Sequence, residues 1–406
     1  MPPKTREDED ERILRAALRR EMLRTEIPRG LLRTVRDAED GDAIERASEL
    51  KELGYDRAWR SLMHRTREIA YEEWRRGALA ISQKGSKLKP DWAGDDVLSK
   101  LVDAAISNEL LYENVMKPMA RRTLINTAEK NGIAWREEAK ALEANPDIHA
   151  AFESIKDDSL KYPEYYLKPF HAYAEGNLCW LAATEARSAT YSMALRVWPK
   201  DRITAETAQQ RLRDSYTDTI RKHRETHNAS TGEAEPRKIL DVGCSVGMST
   251  RYISDAFPSA EVIGLDLSPY MLAVASVSDK GEEGSERRTW VHGKGEDTKY
   301  PENTFDVVSL AFVIHECPEN ATAALMREAH RILKPGGTFV MTDNNPQSPV
   351  IQNLPPALFT LMKSTEPHSN EYYTIDVQQM LRDAGFEHVH QEQTDPRHRT
   401  VCGSKK

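Results

Sequence analysis

One stretch constrains the fold more than any other. Lys238-Ile239-Leu240-Asp241-Val242 is an apolar run of strand length, and Gly243-Cys244-Ser245-Val246-Gly247 is a loop carrying two glycines. A helical pattern starts at Met248, and Val262-Ile263-Gly264-Leu265-Asp266 reads as a second strand closing on an acid. Strand, tight loop, helix and parallel strand together make the half-fold on which nucleotides bind. Glycines let the backbone approach a ligand, and the helix opening there offers unpaired N–H groups and a positive dipole end. An acid closing the second strand accepts both hydroxyls of a ribose. The pattern predicts an α/β fold over residues 237–406: a mostly parallel sheet with helices on both faces, preceded by a large helical region.

Glycine spacing decides which nucleotide. A pyrophosphate needs G-x-G-x-x-G, whereas this loop reads Asp241-x-Gly243-x-Ser245-x-Gly247 with an acid ahead of the first glycine. That acid repels a pyrophosphate, which disfavours a nicotinamide dehydrogenase, and suits a ligand with an amino group. An amino-acid tail on the loop and a ribose on Asp266 describe the two ends of S-adenosylmethionine. On these residues the chain resembles the class I S-adenosylmethionine-dependent methyltransferases, whose first motif is acid-x-Gly-x-Gly-x-Gly. Ser245 replaces the middle glycine, harmlessly at negative φ and with strain at positive φ.

The downstream text narrows the likeness. Gly293-Lys294-Gly295-Glu296-Asp297 leading to Phe305-Asp306-Val307-Val308, and Glu328-Ala329-His330-Arg331-Ile332-Leu333-Lys334-Pro335-Gly336-Gly337-Thr338, are similar to the type 11 small-molecule group, which includes quinone-biosynthesis enzymes. The acid usual at the adenine position is Lys294 here, so adenine recognition falls to backbone carbonyls or to Glu296 or Asp297. The resemblance implies a cofactor set of Asp241, Gly243, Ser245, Gly247, Asp266, Leu267, Gly295, Glu296 and Phe312. Around Pro169–Leu178 and Thr394–Thr400 the chain also looks similar to an uncharacterised plant and algal branch, which would imply a plastid location.

Further strands are expected at Trp290–His292, Phe305–Phe312, Thr338–Thr342, Phe386–Gln391 and Thr400–Gly403, with helices at Ala321–Leu333 and Thr374–Ala384. Lys334-Pro335-Gly336-Gly337 should stop the first of those helices. Lys161–Trp180, dense in aromatics with His171, Tyr173 and Asn177, reads as a lid over the cofactor or as an aromatic joint between helices and sheet. The roughly thirty residues from Asp343 to Tyr373 read either as a second substrate wall, with an amphipathic helix across Val350–Met362 whose apolar content points to a hydrophobic acceptor, or as a cap on the core. Transfer from a sulfonium needs alignment, and a general base only if the acceptor must lose a proton. His315, just past the fourth strand with Glu316 beside it, is the first candidate; His171 and Tyr173 are its rivals. Arg397-His398-Arg399 either binds an acceptor anion or ties down the last strand, and the second is favoured.

Composition sets outer limits. The 406 residues allow a plan of 1–90 as an N-terminal helical unit, 91–160 as a second helical segment, 161–236 as lid and lead-in, and 237–406 as the cofactor-binding domain. A net charge of −8 disfavours nucleic acid as a partner. Arg12–Arg36 dissents as a basic amphipathic segment, suited to an anionic membrane surface or partner, or simply packed on the protein. No apolar stretch approaches the roughly twenty residues of a membrane span. The four cysteines show neither disulfide nor metal spacing, so no metal site is expected, and the acid-rich start points to the cytoplasm. The predicted activity is methyl transfer from S-adenosylmethionine to a small, apolar molecule. The alternative is an S-adenosylmethionine-binding regulatory or scaffold protein with weak or no transfer, and Lys294 and Ser245 are the features behind it. Oligomeric state is not legible.

Overall fold

Apolar runs too short for helices but long enough for strands build the sheet of this computed structural model, which describes residues 117–171, 173–227, 235–354 and 365–406. Seven strands, β1 (Lys238–Val242), β2 (Glu261–Asp266), β3 (Arg288–His292), β4 (Phe305–Ala311), β5 (Leu333–Asn344), β6 (Glu387–Gln393) and β7 (His398–Ser404), pair in the order β3-β2-β1-β4-β5-β7-β6. The first five run parallel, and β7 is antiparallel to both β5 and β6. The expected mostly parallel sheet is therefore present, with β7 as its one reversed strand.

Both faces are covered, as a parallel sheet requires. The helices are α1 (Lys117–Lys130), α2 (Trp135–Glu143), α3 (Pro146–Ile155), α4 (Trp180–Leu195), α5 (Ala205–His227), α6 (Met248–Ala256), α7 (Pro269–Asp279), α8 (Glu319–Ile332) and α9 (Val377–Asp383). On one face Leu240, Val242, Ile263 and Leu265 pack with Leu325, Met326 and Ala329 of α8 and Leu381 of α9. On the other, Ile239, Val262 and Val307 pack with Tyr216 and Ile220 of α5 and Ile253 of α6. The alternation along β1 follows the two-residue period of a strand.

Three local departures have physical causes. Lys334-Pro335-Gly336-Gly337 does end α8, yet it lies within β5: the pairing with β4 jumps from Phe305–Leu333 to Val307–Thr338, and Gly336, at φ 76, absorbs the bulge. The helix expected over Thr374–Ala384 is the shorter α9, whose start is capped by Asp376 accepting from the Gln379 N–H at 3.0 Å, and a separate six-residue helix, Ser369–Thr374, precedes it. Helices α2 and α3 are joined to the sheet unit: Phe152 meets Trp180 and Tyr270 with ring centroids 5.4 Å and 4.7 Å apart. Residues 128–353 and 365–406 form one compact unit. The basic segment Arg12–Arg36 and Leu358–Met362 of the expected insertion helix lie outside the described residues.

Candidate active site

The carboxyl ends of β1 and β2 are joined by the N–H groups of Gly243 and Cys244, which donate to the Leu265 carbonyl at 2.8 Å and 3.1 Å, and by a side-chain clamp. The Ser245 backbone N–H donates to Asp266 Oδ2 at 2.8 Å, and the Ser268 N–H donates to Asp266 Oδ1 at 2.7 Å, so a single carboxylate clamps the loop after β1 to the turn after β2. Gly243 and Gly247 take φ values of 70 and 76. An added Cβ at Gly247 would stand 2.3 Å from Cη2 of Trp290, and one at Gly243 would stand 2.6 Å from Cγ2 of Val313. The loop is thus a backbone cradle that no side chain can thicken.

Ser245 is also left-handed, at φ 52. The replacement of glycine is therefore the strained case, of the order of 1–2 kcal/mol for a residue with a Cβ. The Asp266 bond and a contact from Ser245 Oγ to Met271 Sδ at 3.5 Å hold it there.

Asp241 has a different position from the one its place in the motif suggested. It shares the face of Ile239 and is fully buried, accepting from Ser249 Oγ at 2.6 Å, Thr250 Oγ1 at 2.7 Å and Ser309 Oγ at 2.8 Å. Burial raises its pKa, and the three hydroxyls oppose that rise. Its carboxylate ties β1 to α6 and β4, beneath the loop. Burial likewise raises Asp266, against the two backbone donors.

The segment 161–180, the expected lid or aromatic joint, packs against this edge from the N-terminal side. Tyr166 OH lies 3.4 Å from Asp266 Oδ1, Tyr165 OH donates to Glu296 Oε1 at 2.6 Å, and Ser268 Oγ donates to the Asn177 carbonyl at 2.6 Å. His292, at the end of β3, accepts from the Asp157 N–H at 2.8 Å through Nδ1 and reaches the Leu267 carbonyl at 3.1 Å through Nε2. Leu267 is thereby held beside Asp266. Glu296 sits under the lid, and Gly295 is needed small, since a Cβ there would meet Leu325 and Val242 at 2.6 Å. Asp297 instead pairs with Lys299 at 2.5 Å. Phe312, at φ 62, turns to the α5 face, between Arg213 (5.5 Å, over the ring) and His398 (5.0 Å between centroids). Those contacts belong to the scaffold.

A second polar group lies past β4. His315 Nδ1 is 2.9 Å and 3.0 Å from the two oxygens of Asp343, which also accepts the His315 N–H at 3.2 Å. Glu316 is turned away and accepts from Asn177 Nδ2 at 3.1 Å, so Asp343 orients His315. Burial alone would lower the His315 pKa; the Asp343 carboxylate overrides it and holds the imidazole proton up to about 10. Glu316 is pushed by burial up to about 8, despite His315 nearby. His171 belongs to the same group, with ring centroids 6.3 Å from His315, and its side chain stays 43% exposed. Tyr173 does not join them: its OH donates to Glu185 Oε2 at 2.7 Å, and its ring packs with Val246 and Met248. Asp343, Tyr166, His292 and Glu366 belong to no motif and are legible as site residues only in three dimensions.

Arg397 Nε donates to Asn344 Oδ1 at 2.9 Å, Arg399 Nη1 to Gln391 Oε1 at 3.1 Å, and His398 Nδ1 lies 2.7 Å from Asp395 Oδ2. These contacts hold the last strand mainly through the side-chain amides of Asn344 and Gln391, with one carboxylate at Asp395. Among the described residues no helix is long and apolar enough to cross a membrane.

Comparison with known proteins follows the same lines. Residues 240–341 match the family described as a methyltransferase domain, and residues 13–95 match one described as a protein of unknown function (DUF3253). Over 37% of its length the chain is 31% identical to an uncharacterized methyltransferase of Synechocystis, covering 66% of that protein. It is 38% identical over 27% of its length to a demethylmenaquinone methyltransferase of Anoxybacillus flavithermus, and 34% identical over 38% to phosphoethanolamine N-methyltransferase 3 of Arabidopsis thaliana. It covers 45% and 29% of those two proteins, so the chain spans less than two thirds of the relatives it matches. With the strand order, the glycine loop after β1 and the acid after β2 in place, residues 240–341 form a methyltransferase domain of the class I S-adenosylmethionine-dependent kind.

Proposed function

We propose that the chain transfers a methyl group from S-adenosylmethionine to a small acceptor of apolar character. The observation that carries this reading is the 2.8 Å bond from the Ser245 N–H to Asp266: the loop that would hold an amino-acid tail and the acid that would hold a ribose share one edge of the sheet. The residues fit the donor. Gly243 and Gly247 leave backbone alone at the loop surface, while Asp266 keeps acceptor capacity beyond its two backbone partners. The donor supplies an activated methyl on a sulfonium. In this reading Asp266 and the 243–247 backbone orient it, Glu296 and Leu267 border the adenine, and Tyr165 and Tyr166 exclude water. Alignment of this kind contributes about 7–11 kcal/mol to lowering a barrier.

Apolar acceptor character is supported by Leu167 on the lid and Val350 after β5, both exposed large hydrophobics. The named acceptors of the relatives, a quinone precursor and phosphoethanolamine, differ too much in polarity to be carried across. The sulfonium already activates the leaving group, so a base is required only where the acceptor must lose a proton. Alignment therefore carries most of the rate. A cytoplasmic location agrees with four free cysteines, three of them buried. The net charge of −8 supports a partner set without nucleic acid.

Calorimetric titration with S-adenosylmethionine, S-adenosylhomocysteine and NAD tests the reading, followed by incubation of extract with enzyme and labelled donor. Binding of the first two with label in a small molecule is the expected result. Binding without any labelled product would favour a regulatory or scaffold protein, and binding of NAD alone would end the proposal.

A further inference from the structure

Three side chains from separate stretches converge past β4: His171 of the lid, His315, and Glu366 from the segment after β5. One ligating atom of each lies within 4.8 Å of the others, and His171 Nε2 is 3.8 Å from Glu366 Oε1. Ligands held at about 2.0–2.1 Å in a tetrahedron stand about 3.3 Å apart, so a modest contraction completes the set. Behind His315 stands Asp343, fully buried and 2.9 Å from Nδ1. A carboxylate holding one ring nitrogen leaves the other to coordinate, and this pairing recurs behind metal-ligating histidines. The lid backbone is locked to the same place: the His171 N–H donates to the Thr365 carbonyl at 3.0 Å, with His171 at a left-handed φ of 48. A non-glycine residue keeps that conformation only where its surroundings fix it.

We propose that His171, His315 and Glu366 bind one first-row divalent cation of the zinc class, leaving a position open for an oxygen of the acceptor. Two imidazoles and one carboxylate suit zinc, iron or cobalt, whereas magnesium and calcium take oxygen ligands. The charge also balances, since Asp343 and Glu366 together offset a dication. The site deepens the methyltransferase reading, on which its role rests, and assigns an acceptor class: an apolar molecule presenting a hydroxyl or carboxylate oxygen.

The test uses the full chain, stripped with a chelator and titrated with Co2+ and then Zn2+, reading visible absorption and metal content. One cation per chain is expected, with affinity reduced at least tenfold in His171→Ala and in Glu366→Gln. Asp343→Asn touches no cation and should still cost about 10–100-fold. Substoichiometric binding, or wild-type affinity in both His171→Ala and Glu366→Gln, would overturn the site. S-adenosylhomocysteine titrated in parallel separates the two claims. A chain that binds it but no cation loses only the metal site, and one that binds the cation alone keeps the metal site and loses the donor.

Discussion

The end of the crevice at Asp266, proposed as the donor end, is built largely of backbone, and the end at His315, proposed as the acceptor end, is built of side chains. Around Asp266 the partners are the N–H groups of Ser245 and Ser268, delivered by a loop and a turn that directly follow β1 and β2. Around His315 the partners are Asp343, His171 and Glu366, delivered by β5, the lid and the segment after β5. A backbone site tolerates changes of side-chain chemistry but not of volume. A side-chain site depends on residue type and on distant segments staying docked. One end can therefore be shared across a family while the other is rebuilt for each acceptor.

Volume should matter most at the donor end. Gly247→Val puts a Cβ where Trp290 already stands, at a φ of 76. Denaturant titration should show a loss of about 3 kcal/mol or more. Gly132→Ala is the control, being left-handed at φ 86 with nothing within 4 Å, and should lose only about 1 kcal/mol. Equal losses would mean that packing against Trp290 does not define the cradle.

Charge at the same end comes next. Asp266→Ala removes two backbone partners and the proposed ribose contact, so S-adenosylhomocysteine should bind about 1.5–3 kcal/mol more weakly by calorimetry. Unchanged affinity would move the ribose elsewhere. Ser245→Gly relieves the left-handed serine and should raise stability by about 1 kcal/mol, with donor binding kept or tightened. A destabilised variant would show that the Oγ contact to Met271 outweighs the strain.

The smallest effect calibrates acid sensitivity away from both ends. His223 of α5 is buried, 2.9 Å from Ser404 Oγ, and burial with His227, His390 and His388 nearby depresses it to about 3. In the unfolded chain it takes a proton near 6.5, so the unfolded state binds more protons between those values, and stability falls as pH drops from about 6.5 towards 3. In His223→Asn the melting temperature should fall less steeply with acid. An unaltered slope would assign the acid loss to other groups.

Much of the donor end was legible because its parts are consecutive. The loop, Asp266 and the glycines follow one another within two strands and are set by local backbone rules. Asp241 was misdirected because a motif records order and not face: the two-residue period of β1 sends it with Ile239 towards α5. Phe312 lies one residue past β4 at a φ of 62, where the strand period no longer sets the face of a side chain. At the acceptor end His315 and His171 were visible as polar residues in apolar surroundings, whereas Asp343 and Glu366 looked like ordinary acids of a strand end and a loop.

The order of residues alone determined the α/β class, the parallel strands and the position of the glycine cradle, because hydrophobic period and glycine placement act within a few residues. Tertiary structure decided that Asp343 orients His315, that Tyr173 leaves the crevice for Glu185, and that the lid meets Glu366. Those pairings join segments distant in the chain, and they are selected by what remains buried and unsatisfied once the sheet has closed.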